Sequence, residues 1–139
     1  MAKKAKQTEA EKVLCNIFKR FGTDLQAEQE GRKYYLDRDI DAYILVASYK
    51  RNKNLQRENV EILERAEHKG DDVEQEFVKA FVRNCVKGWN NISNIEGEEL
   101  PYSNEAALEL LVQLPDLVED LIKFASDNEN YRIEEIAKN

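Results

Sequence analysis

Between Lys87 and Leu117 the chain is punctuated so closely that no long helix or strand can run through it. Gly88, in Lys87-Gly88-Trp89, can take the left-handed conformation that closes a helix. A polar excursion through Asn90, Asn91 and Ser93 follows, and Gly97 in Ile95-Glu96-Gly97-Glu98-Glu99 supplies the positive φ of a tight turn. Pro101 ends the extended piece that starts at Leu100, and Ser103 or Asn104 can cap the next helix. That helix stops at Leu114, and Pro115 starts the last one in its first turn.

This order of parts resembles the C-terminal half of tail assembly chaperones of long-tailed bacteriophages. The shared motifs are Gly88-Trp89, Gly97-Glu98, Leu100-Pro101-Tyr102-Ser103 and Leu114-Pro115-Asp116-Leu117, with a similar close at Tyr131-Arg132-Ile133-Glu134-Glu135. The resemblance spans roughly residues 40–139. Nothing comparable anchors residues 1–30.

Apolar residues recur at helical spacing along most of the chain. Residues 1–7 read as a disordered basic lead, and residues 8–139 as one helical domain. Thr8 and Glu11 form a capping box for a first helix that ends at Gly22 and buries Val13, Leu14, Ile17, Phe18 and Phe21. Aromatic and β-branched residues over 31–47, broken by Asp37-Arg38-Asp39, predict a β-hairpin; helix competes for Ile40 to Tyr49. A second helix from Leu55 to His68 should bury Leu55, Val60, Ile62, Leu63 and Ala66, with Gly70 as its stop. Asp71 or Asp72 caps a third, whose apolar face takes in Phe77, Val78, Phe81, Val82, Cys85, Val86 and Trp89. The fourth, from Asn104 to Gln113, points Ala107, Leu110, Leu111 and Leu114 inward, and the fifth buries Leu117, Val118, Leu121, Ile122 and Ala125. Residues 131–136 are expected to fray. The fold class expected is mainly α, a compact bundle of about five short helices with a small N-terminal β-hairpin.

Composition narrows the function. No apolar stretch approaches the ~20 residues that span a bilayer, and no secretory leader follows Lys3, Lys4 and Lys6, so a cytosolic protein is expected. Cys15 and Cys85 are expected to be two buried free thiols. The single His68 beside Gly70 reads as a partner of a helix dipole. A net charge of −7 argues against nucleic acid as the main partner. No spacing of His, Cys or carboxylates suggests a metal, a cofactor or a nucleophile, so no enzyme is expected. Asp37, Asp39 and Asp41 lack the Gly and the closing Glu of a calcium loop and read as turn residues.

Two candidate surfaces remain. Trp89, Leu100, Pro101 and Tyr102 form either a partner-binding patch or a small core under the 90–103 loop. Charge is divided: residues 1–22 carry six Lys/Arg against two Glu, while 89–139 carry three basic residues against twelve acids. A weak, salt-sensitive homo-oligomer would set Lys12, Lys19 and Arg20 against Glu105, Glu109, Glu119 or Asp120.

The resemblance implies a chaperone that coats the tape-measure protein, recruits tail-tube subunits in the host cytoplasm and is absent from the mature virion. A small structural tail protein and an acidic regulator binding a host factor are the alternatives.

Overall fold

The computed structural model describes residues 13–69 and 72–138. The basic lead, the Thr8–Glu11 capping box, Lys12, Gly70 and Asp71 lie outside these residues, as do the side chains of Ala66 and His68. The described elements follow in the order α1 (Ile17–Phe21), α2 (Leu25–Glu30), β1 (Arg32–Asp37), β2 (Ala42–Val46), α3 (Lys53–Lys69), α4 (Val73–Cys85) and β3 (Val86–Asn90). After them come α5 (Asn104–Leu111), α6 (Pro115–Ser126), a 3-10 turn (Asn128–Tyr131) and α7 (Ile133–Lys138).

The expected helical bundle is corrected to a mixed α+β fold. Its antiparallel sheet has three strands in the order β1-β2-β3, and the middle strand runs through the core. The hairpin expectation holds, against the helical alternative for residues 40–49. Asp37 Oδ1 accepts the Asp39 N–H at 3.0 Å and Asp41 takes φ 53°, so these aspartates make the turn. The missed strand is β3, and the helix α2 was not expected either. Val82, Cys85, Val86 and Trp89 fit a helical stripe, but the helix stops at Cys85 and Val86 turns extended, with φ −86° and ψ 113°. One side of β2 would otherwise leave its backbone groups without partners inside the core. Gly88 is therefore no left-handed helix cap. It is a buried strand residue, and a Cβ there would sit 3.3 Å from Leu45 Cδ1.

Helix boundaries follow their caps. Asn52 accepts the Leu55 N–H, Asp72 that of Gln75, and Ser103 that of Ala106, while Pro115 stands at the start of α6. Ala80, Phe81, Val82 and Cys85 of α4 meet Ile44 and Val46 of β2, Leu55 and Ile62 of α3, Ala107 and Leu111 of α5, and Val118, Leu121 and Ala125 of α6 in one cluster. Of the later helices' expected core positions, Val60 and Leu63 face solvent on α3, and Leu114 is exposed where it precedes α6.

The two ends of the chain reverse their expectations. The supposed core stripe of the first helix is exposed, from 58% at Ile17 to 99% at Val13. That helix has only five residues, capped by Asn16, and its main packing is against α7. Cys15 is exposed with it, while Cys85 is buried; both are free. By contrast Tyr131, expected in a fraying tail, is wholly buried and donates its hydroxyl to Val46 C=O at 2.8 Å.

Burial pushes the Cys85 thiol from its ordinary 9.0 to about 12 and also raises the Tyr131 phenol. Both keep their protons longer folded than unfolded. Their contribution to stability is complete below about pH 9 and is lost as pH rises from there toward 12. Urea unfolding is expected to show stability falling by about 1.4 kcal/mol per pH unit above 9 from Cys85 alone. A Cys85→Ala variant should lose that part of the slope; an identical slope in both proteins contradicts it.

Candidate interaction surfaces

Tyr102 and Trp89 meet edge to face, with ring centroids 5.1 Å apart. Trp89 Nε1–H donates to Leu100 C=O at 2.7 Å, and the Tyr102 hydroxyl donates to Val86 C=O at 2.9 Å. Two indifferent rings have thus become a clamp that straps the 100–103 segment along β3. The four sequence candidates come together, but unequally: Trp89, Leu100 and Tyr102 are half-buried and Pro101 is exposed. The arrangement is that of a small core, with Pro101 on its rim.

Between Asn90 and Leu100 the chain forms a closed loop. Leu100 N–H donates to Ile92 C=O, Asn94 N–H to Glu98 C=O and Gly97 N–H to Asn94 C=O. Asn94 Oδ1 also accepts from Glu96 N–H and Glu98 N–H, so one side chain fixes both sides of the turn. Gly97 has φ 85°, as the turn requires. The base is tied to the hairpin turn: Asn90 Nδ2 donates to Asp41 C=O and Asn91 Nδ2 to Ile40 C=O. Ile95 stands at the tip, 96% exposed, beside the exposed Glu96, Glu98 and Glu99. Sequence reasoning found the turn and missed its apolar tip; the signal was an isoleucine beside a Gly-centred acidic turn.

A third surface lies between α4 and α5. Leu108 and Val112 line a groove of about 440 Å³ whose rim is Lys79, Glu105 and Glu109. Glu105 and Glu109, proposed from sequence for self-association, therefore share one groove. The other candidates for that role are dispersed. Glu119 pairs with Lys123 at 3.6 Å, Asp120 is exposed on α6, and Lys19 and Arg20 are exposed on α1. Lys12 lies outside the described residues.

Among the described residues no three His, Cys, Asp or Glu side chains gather as a metal site, and no helix is long and apolar enough to cross a membrane. Ser48 Oγ, Asn59 Oδ1 and Asn128 Oδ1 are buried without a hydrogen-bond partner among the described residues, whereas other polar groups are paired structurally. Glu28 receives Arg51, which also donates to Thr23 Oγ1 at 3.2 Å. Asn52 donates to Asn84 C=O at 3.2 Å and to Cys85 Sγ at 3.8 Å.

Residues 42–139 match the model of the YdaY prophage protein family, from the first residue of β2 to the end of the chain. The chain belongs to that family. The phage origin implied by the sequence motifs is thereby established at the level of a prophage protein. The matched stretch contains the Trp89–Tyr102 clamp, the acidic loop and the α4–α5 groove. Comparison with curated proteins and with solved structures returned no match.

Trp89→Ala removes a half-buried ring and its hydrogen bond, and is expected to cost about 2–4 kcal/mol, near the lower part of the range for large aromatic truncations. Thermal or urea unfolding checks this. An unchanged midpoint would place the ring on a binding surface instead of in a core.

Proposed function

We propose that this prophage protein is a tail assembly chaperone, which binds the tape-measure protein, recruits tail-tube subunits in the host cytoplasm and departs before the virion is complete. The motifs shared with such chaperones all fall inside the family-matched stretch. The observation that carries the reading is the α4–α5 groove. Leu108 of α5 and Val112, the residue that caps its C-terminus, are one helical turn apart, flanked by Glu105 and Glu109 and faced by Lys79 of α4. An amphipathic helix of a tape-measure protein would lay its apolar face on the two aliphatic side chains, in the helix-in-groove mode. Its basic residues would pair with the two glutamates. Pro101, at the N-terminal approach to α5, would extend the contact, with the Trp89–Tyr102 clamp holding it in place. The role requires neither catalysis nor a cofactor.

Co-expression with the tape-measure protein of the same prophage tests the assignment. The chaperone is expected to keep that protein soluble and to co-purify with it. A Leu108→Asp/Val112→Asp variant, if folded by circular dichroism, should lose at least about tenfold in affinity. Mass spectrometry of purified particles should not find the chain. Its stoichiometric retention in particles would overturn the chaperone reading in favour of a structural tail protein.

A further inference from the structure

The sheet has one open side. At one edge the 100–103 segment is strapped along β3 by the Trp89–Tyr102 clamp. At the other, β1 is paired only with β2. Among the described residues the main chain of Arg32–Tyr35 makes no hydrogen bond to any other segment, so the N–H and C=O groups that point away from β2 are free. A cleft of about 580 Å³ lies against this edge and reaches both faces of the sheet. Lys33, Tyr35 and Leu45 line it from one face, whereas Phe124, also lining it, meets Tyr34 on the other with ring centroids 5.5 Å apart. A strand added to β1 would lie within the cleft.

Both signs of charge line the cleft, but they are engaged differently. On the α2 side Asp24 caps the helix by accepting the Ala27 N–H at 3.0 Å, and Glu30 accepts from Gln26 Nε2 at 3.1 Å. Glu135 stands on α7, and Arg32 donates to Asn130 C=O. Lys33 and Arg38 make no ion pair among the described residues. Each instead lies over a half-buried tyrosine: Lys33 Nζ is 4.6 Å from the Tyr43 ring centroid, and Arg38 Cζ 4.1 Å from that of Tyr35. Asp37, the acid next to Arg38, is turned to the Asp39 N–H. Stacking holds the two cations in place and leaves their N–H groups able to donate. We propose that the β1 edge docks an extended acidic segment of another protein, which adds as a fourth strand and sets carboxylates against Lys33 and Arg38.

The free edge selects an extended main chain, and the cations select carboxylates on alternate residues of it. The β-bulge between Tyr35 and Asp37 ends the regular stretch, so the added strand spans about four residues, roughly 13 Å. Two unpaired cations on a chain of net charge −7 are too few to hold a phosphate backbone. Lys33 on an edge strand also discourages β1 from pairing with its own copy. The site is separate from the α4–α5 groove and stands or falls independently of any tape-measure partner.

Amide NMR of the full chain, titrated with a synthetic peptide that alternates glutamate and valine, tests the proposal. Saturable shifts are expected at Arg32–Leu36 and in α2, and not at Leu108 or Val112. Lys33→Glu/Arg38→Glu, at two exposed positions, should keep the fold by circular dichroism and weaken binding about tenfold or more. A peptide with lysine in place of glutamate should bind at least about tenfold more weakly. One methylated at alternate main-chain nitrogens should not bind, because it cannot pair along β1. Absence of saturable binding, binding indifferent to charge reversal or to methylation, or shifts confined to residues outside β1 would each overturn the proposal. In the free chain, alternate amides of β1 are expected to exchange rapidly with solvent. Slow exchange of all of them would mean that a second copy or the chain's own residues already cover the edge, and would overturn it too.

Discussion

Four consecutive residues at the end of β2 hold the molecule together. Val46 C=O accepts the Tyr131 hydroxyl, Ala47 N–H donates to Cys85 C=O, Ser48 N–H to Glu28 C=O, and Tyr49 N–H to Ala125 C=O. The 3-10 turn and the ends of α4, α2 and α6 thus converge on one short stretch of backbone. Cys85 closes the arrangement by donating its thiol to Ser48 C=O at 3.7 Å. Because these groups are buried, each bond lost would strand a polar atom away from water. The helices take their places around this junction, and the sheet order follows from it.

The junction explains which parts of the fold could be read from sequence. Local signals were sufficient where local physics decides. Asp72, Ser103 and Pro115 begin their helices as expected, Gly97 makes its turn, and the aromatic and β-branched run over 32–46 pairs as a hairpin. Signals failed where a distant partner decides. Val86 and Trp89 lie on the helical stripe of α4, and only the unpaired side of β2 draws them into a strand. Tyr131 sits in a polar segment that looks like a tail, and its destination is a carbonyl 85 residues away. The α1 stripe has the spacing of a core helix, yet in the described fold it stays largely exposed beside α7.

The same division separates stability from recognition. Trp89 and Tyr102 were conspicuous in the sequence because they are aromatic, and they are largely occupied in bracing the 100–103 segment. The apolar groups outside the core are less conspicuous residues: Leu108 and Val112 in a shallow groove, Ile95 on a turn, and the aliphatic and phenyl groups of α1. For a member of the YdaY prophage protein family this gives a rigid centre with separate outward faces.

Native-state hydrogen exchange at single-residue resolution tests the central claim most directly. If the end of β2 is the junction on which the fold depends, the amides of Ala47, Ser48 and Tyr49 exchange only through global unfolding, with free energies equal to that from denaturant. Amides of Arg20 and Gly22 around α1 should exchange through smaller, local openings. Exchange of Ala47, Ser48 and Tyr49 at free energies well below the global value, while α3 or α5 remained protected, would contradict the account.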